Sequence, residues 1–132
     1  MTFRILHVDD DVLFCEFVQA IFTEEEGYEV VSRQSADDAL ASVEDLQPDV
    51  IIVDIMMPTT GGLVLVQELR QIPATAQTPV ILLSARSGHL EQYDSFREIA
   101  SVRLTKPIQP DVLRSEVKAI RAKGGTGDRQ GP

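Results

Sequence analysis

Cysteine is almost missing from this chain of 132 residues, where Cys15 stands alone. An internal disulfide is excluded, which suits a reducing cytoplasm. Long apolar runs are missing too: the longest, Val50 to Val53 and Val80 to Leu83, are short against the roughly 20 residues needed to span a bilayer. Membrane insertion is not expected. Asp9, Asp10 and Asp11 arrive before the apolar core of a signal peptide could develop, which argues against secretion. Neither GxxxxGK[ST] nor GxGxxG occurs, so a nucleotide cradle is not expected. Basic residues are scarce in the first half. Residues 1–54 hold 14 acids and 2 bases, net −12, whereas residues 55–132 hold 7 acids and 10 bases, net +3. Direct nucleic-acid binding needs clustered Lys and Arg, so the charge suits a cation or a basic partner better. The Glu24-Glu25-Glu26 run reads as a solvated surface.

What remains is an ordinary globular composition, 43% hydrophobic and 25% charged, with room for one domain. The pattern places that domain over residues 1–122. A glycine-rich, flexible tail is expected over 123–132. Phe3 to Val8 reads as a buried strand. Val12 to Thr23 follows with Phe14, Phe17, Val18, Ile21 and Phe22 at helical spacing, and Gly27 lies where a helix end would be capped. Tyr28 to Arg33 is a second strand, and Ser35 is an N-cap for a helix through Ala39, Leu40 and Val43. Val50 to Val53 is the unbroken apolar run of a strand covered on both faces. Further pairs follow: a helix over Leu63 to Gln71, then Val80 to Leu83 with a weak helix around Leu90 to Ile99, then Val102 to Thr105 with a helix from Asp111 to about Ala122. Five strand-then-helix units predict an α/β fold, a five-stranded parallel sheet with helices on both faces.

In such sheets ligands bind at the carboxyl ends of the strands. There stand Asp9 and Asp10, then Asp54, Ser84 and Lys106, after the first, third, fourth and fifth strands. Three carboxylates held close together repel strongly even at an effective dielectric of about 20, so a cation is predicted among them. Oxygen ligands without Cys or His favour a hard ion, and two carboxylates plus a carbonyl leave room for the waters that Mg²⁺ keeps. An aspartate beside such an ion, with a hydroxyl and an ammonium nearby, is equipped to accept a phosphoryl group.

Taken together, Ile5-Leu6-His7-Val8-Asp9-Asp10, Val53-Asp54-Ile55-Met56-Met57-Pro58 with Gly62, Leu83-Ser84-Ala85 and Lys106-Pro107 resemble the receiver domain of two-component response regulators, over residues 3 to about 122. The resemblance implies a flavodoxin-like (βα)5 sheet in the order 2-1-3-4-5. It implies that Asp54 accepts the phosphoryl group, and that Asp10, Asp54 and the Met56 backbone carbonyl bind Mg²⁺, with Asp9 assisting through water. Ser84 would be the hydroxyl that moves toward the phosphoryl group and Lys106 its salt-bridge partner, with a cis Lys106–Pro107 bond. The implied partners are a histidine kinase or histidine phosphotransfer protein as donor and a downstream protein target in trans, with room for a weak homodimer.

The chain also departs from the family. Arg103 stands where an aromatic usually reports the hydroxyl's movement, Ile99-Ala100 replaces a frequent Gly-Ala pair, and Gly61 replaces an acid. Arg103 is expected to stay outward, with activation passing through the Ser84–Gly88 loop and the Leu90–Ile99 helix. Met56 and Arg86 are expected to flank the site and limit the access of water. His7 reads as a packed core histidine, Asp11 as a helix N-terminal acid and Cys15 as a small helix residue, while His89 has no assignable partner. One rival uses the same residues. Asp9-Asp10-Asp11-Val12 is also similar to the signature of haloacid-dehalogenase-type phosphatases, with Asp9 as nucleophile. That reading leaves Asp54 unexplained and lacks an acidic pair ending a strand after Lys106, since Asp111 and Glu116 fall in a helix.

Overall fold

The computed structural model describes residues 2–57, 61–84 and 102–123. Five parallel strands, β1 (Phe3–Val8), β2 (Tyr28–Arg33), β3 (Val50–Asp54), β4 (Val80–Ser84) and β5 (Val102–Thr105), form one sheet in the order β2-β1-β3-β4-β5. Four helices accompany them among the described residues: α1 (Val12–Thr23), α2 (Ala36–Leu46), α3 (Gly62–Leu69) and α4 (Pro110–Ala122). The weak helix around Leu90 to Ile99 lies outside the described residues, as does the tail beyond Lys123.

Strand alternation sorts the core into two layers. Leu6, Val8, Ile51, Val53, Val80 and Leu82 face Ala36, Ala39 and Val43 of α2 and Leu63, Leu65, Val66 and Leu69 of α3. Phe3, Ile5, Val50, Ile52, Ile81 and Leu83 face Val18, Ile21 and Phe22 of α1 and Leu113, Val117 and Ile120 of α4. Because both faces are covered, β3 and β4 are buried along their whole length, which is why they read as continuous apolar runs.

Local signals set the helix boundaries. Asp11 caps α1, its carboxylate accepting the Leu13 and Phe14 N–H groups at 3.0 and 3.2 Å, and Ser35 caps α2 through the Asp38 N–H at 3.1 Å. Pro110 opens α4, where its missing N–H costs nothing. The ends diverge more from expectation. Helix α1 stops at Thr23, so Gly27 is not its cap but a turn residue at φ +84° entering β2. The intervening glutamates are not all solvated either: Glu25 reaches Lys118 at 2.7 Å and Arg114 at 3.7 Å on α4, and this pairing lowers its pKa. Helix α3 ends at Leu69, short of Gln71.

Candidate functional site

Register carries the site. Val8 of β1 lies beside Val53 of β3, so the next residues, Asp9 and Asp54, leave the sheet side by side. Ser84 of β4 lies beside Thr105 of β5, which puts Lys106 one step further out. Alternation then decides direction: Asp9 continues the series of Ile5 and His7, Asp54 that of Val50 and Ile52, and Lys106 that of Val102 and Leu104, all on the α1/α4 face. The backbone adds a clasp, the Lys106 N–H donating to the Ser84 carbonyl at 2.6 Å.

Asp9 is fully buried and doubly held. Its Oδ1 accepts the Asp11 N–H at 2.9 Å and its Oδ2 accepts Lys106 Nζ at 3.1 Å. The same ammonium lies 3.7 Å from Asp54 Oδ2, while Asp54 Oδ1 accepts the Met56 N–H at 3.1 Å. Asp10 is exposed, and Asp9, Asp10 and Asp54 can each offer a carboxylate oxygen within 4.8 Å of the others. Three negative charges face one ammonium at this distance, where each like-charged pair costs about 3 kcal/mol at an effective dielectric of about 20. Burial first, and then the neighbouring Asp9, push the Asp54 carboxyl up to about 6, with Lys106 and the Met56 N–H opposing them. A group so perturbed at a strand end marks a functional site. The donor set is all oxygen and two of the carboxylates are buried, so the cluster could hold a hard cation.

Ser84 is buried at the end of β4, in the series of Val80 and Leu82 that faces α2 and α3. Met56 is half exposed, and its N–H is turned in toward Asp54. Gly62 fits where no other residue can, because a Cβ there would overlap the Asp54 carbonyl. The Lys106–Pro107 bond is cis. Arg103 lies partly buried beside Leu82 on β5. Arg86, His89, Ile99-Ala100, Pro58 and the Ser84–Gly88 loop beyond Ser84 lie outside the described residues.

Sequence reasoning took His7 for a packed core histidine and Cys15 for a small helix residue, as they are, but did not show what they or Phe14 touch. Lys106 Nζ sits 4.0 Å from the centroid of the Phe14 ring, a cation–π contact. His7 is wholly buried beneath that ring, 5.6 Å between centroids, with neither nitrogen hydrogen-bonded among the described residues. Burial, helped by Lys106, lowers its pKa to about 3, so the imidazole is neutral. The Cys15 thiol donates to the Asp9 carbonyl at 3.4 Å, and burial raises its pKa. Only the helical spacing of Phe14 and Cys15 was visible in the sequence, and spacing does not say which distant residue a helix face meets.

A family model for the response regulator receiver domain matches residues 5–118. The chain belongs to that family. Receiver domains are signalling switches of two-component systems, and phosphorylation drives them. The chain is 32% identical over 128 residues to the phosphate regulon transcriptional regulatory protein PhoB of Pseudomonas aeruginosa, covering 97% of this chain and 56% of that protein. It therefore spans about half of that relative's length. The chemotaxis response regulator CheY4 of Vibrio cholerae superposes with a TM-score of 0.82 at 26% identity, over 91% of this chain and 99% of that one. The signal receiver domain of a histidine kinase from Syntrophus aciditrophicus does so with a TM-score of 0.79 at 32% identity, over 91% and 90%. The phosphatase reading is set aside accordingly: the receiver model spans the chain, and Asp111 and Glu116 lie within α4 and not at a strand end. Among the described residues no helix is long and apolar enough to cross a membrane.

Proposed function

We propose that this receiver domain accepts its phosphoryl group on Asp54, with Mg²⁺ held by Asp10, Asp54 and the Met56 carbonyl and, through water, by Asp9. The observation that supports this most is the Asp54 carboxylate at the end of the central strand, 3.7 Å from Lys106 Nζ and within reach of two more carboxylates. The Asp54 oxygen attacks phosphorus in line, the bond from phosphorus to the donor's leaving atom breaks, and an aspartyl phosphate forms. Bound Mg²⁺ supplies positive charge against the phosphoryl oxygens. Lys106 offers a second cation there and the Ser84 hydroxyl a hydrogen bond. Hydrolysis by water resets the switch, at a rate that Met56 and Arg86 tune.

The donor is a histidine kinase or a histidine phosphotransfer protein, and the reader is a protein target bound in trans. The same reading places the chain in the cytoplasm, where buried Cys15 stays reduced. Relatives point both ways on its use, since one receiver belongs to a transcriptional regulator and another to a kinase. Incubation with acetyl phosphate and Mg²⁺, read by intact mass, is expected to add one phosphoryl group to the wild type and none to Asp54→Asn. Asp10→Ala should weaken Mg²⁺ binding at least tenfold. Labelling of Asp54→Asn at the wild-type level would overturn the assignment.

A further inference from the structure

Lys106 reaches the site along a flexible stem, and among the described residues three contacts hold its ammonium: Asp9 at 3.1 Å, Asp54 at 3.7 Å and the Phe14 ring at 4.0 Å. The first two are not constant supports. A divalent cation among Asp9, Asp10 and Asp54 would compete with the ammonium for the same negative charge, and phosphorylation would turn the Asp54 carboxylate into an acyl phosphate whose charge lies further out on the phosphoryl oxygens. The face of an aromatic ring attracts an ammonium through its quadrupole but offers no oxygen to a hard cation. Its hold on Lys106 survives when the carboxylates are engaged elsewhere.

The ring is itself held. The Phe14 N–H is fixed by the Asp11 cap at 3.2 Å, and the ring packs on both His7 and Phe17, with centroids at 5.6 and 5.5 Å. The buried imidazole makes no hydrogen bond among the described residues and packs against that ring at a tilt of 56°. The Lys106 side chain is about four-fifths buried, at 21% exposure, so water screens the contact only in part.

We infer that Phe14 is a positioning residue for phosphoryl transfer, its ring keeping the Lys106 ammonium at the site independently of cation loading. The inference rests on the role proposed for Lys106, and goes beyond it in assigning a task to a helix residue that touches neither phosphoryl group nor metal. An aliphatic side chain of similar size would still pack on the lysine stem but would not attract the charge.

The experiment compares wild type, Phe14→Leu, Phe14→Tyr, Lys106→Met and the Phe14→Leu/Lys106→Met double variant. Acetyl phosphate is the donor, so no protein docking surface enters the rate. Phe14→Leu is expected to slow phosphorylation about three- to tenfold at saturating Mg²⁺, the range a partly desolvated cation–π contact supports, and Phe14→Tyr to stay within about twofold of wild type. The double variant should be no slower than Lys106→Met. A second readout needs no activity. The chain has three lysines, Lys106, Lys118 and Lys123, so a spectrum of ¹³C-lysine protein resolves each ε-methylene. The Lys106 ε-protons should be shifted upfield by the ring, with chelator and with Mg²⁺ alike, and lose that shift in Phe14→Leu.

If Lys106→Met labels as fast as wild type, the role of Lys106 falls and the inference with it. If Lys106→Met is slow while Phe14→Leu is not, the inference alone falls. Equal slowing by Phe14→Leu in both Lys106 backgrounds, or loss of the upfield shift on adding Mg²⁺, would also overturn it.

Discussion

The two faces of the sheet are built by one rule and end differently. Toward α2 and α3, the alternating series runs Leu6–Val8, Ile51–Val53–Ile55 and Val80–Leu82, all apolar until β4 ends in the uncharged Ser84. Toward α1 and α4, the matching series begins with Ile5, Val50 and Ile52 and ends in His7, Asp9, Asp54 and Lys106. Hydrophobic burial is thus shared by both faces, while the electrostatic cost is concentrated at one end of one face. Substitutions on one face should alter stability without regard to pH. Those at the end of the other should trade stability against function.

The largest expected difference sets Leu82→Ala against Asp54→Asn. Leu82 is fully buried between the sheet and the α2/α3 layer, and its truncation leaves a cavity worth about 2–5 kcal/mol of lost stability. The loss should be the same at every pH where the protein is folded. Asp54→Asn should stabilise. With the folded carboxyl pushed up to about 6 from an ordinary 3.8, ionisation at neutral pH costs the fold about 1–3 kcal/mol, and the amide is spared it. Urea titration in chelator at pH 7 measures both, and the gain from Asp54→Asn should vanish below about pH 4. A destabilised Asp54→Asn at pH 7 would show that Lys106 more than compensates the three carboxylates.

Much of this division was legible in the sequence because parallel strands announce themselves as apolar runs and their ends as the polar residues that follow. Asp9, Asp54 and Lys106 needed only the order of units and the rule that sites lie at carboxyl ends. Tertiary neighbours were not legible. Phe14 counted as one apolar position among several on α1, yet its use comes from lying under Lys106, which the β4–β5 register brings there. Gly62 entered as part of the resemblance, and only the folded backbone shows the Asp54 carbonyl filling the space of its missing side chain. Gly27 was misread as a cap because the pattern does not reveal that Glu25 is drawn to Lys118 and Arg114 of the last helix.

A smaller effect separates two residues on the same face. His7, held neutral with a folded pKa of about 3, gives a stability that is complete above about 6.5 and is lost as the pH falls, because the unfolded imidazole takes the proton first. Asp54 acts in the opposite sense, since the folded carboxyl takes a proton below about 6 and the unfolded one only below about 3.8. In the wild type the two slopes nearly cancel between pH 6 and 4, leaving stability flat. His7→Val should uncover the carboxyl, with stability rising toward acid. Asp54→Asn should uncover the imidazole, with a loss of about 1–2 kcal/mol between pH 6.5 and 5. Chemical denaturation across pH 4–7 in chelator checks both, and parallel curves for the two variants would refute the assignment of either group.

The smallest effect compares the helix caps that open each layer. Ser35 accepts one N–H at the start of α2, far in sequence from the acidic cluster, and Ser35→Ala should cost about 1 kcal/mol. Asp11 accepts two N–H groups at the start of α1 at 3.0 and 3.2 Å, and by hydrogen bonding alone its loss should cost more. It also adds a third consecutive negative charge beside Asp9 and Asp10, and removing that charge relieves repulsion that offsets much of the lost cap. Asp11→Ala should therefore cost less than Ser35→Ala in chelator and low salt, while Asp11→Asn, which keeps an acceptor and drops the charge, should be neutral or slightly stabilising. Salt screens the repulsion and leaves the hydrogen bonds, so raising ionic strength should widen the loss in Asp11→Ala while leaving Ser35→Ala unchanged. A salt-independent Asp11→Ala loss larger than that of Ser35→Ala would place Asp11 outside the electrostatics of the site, as a cap like any other.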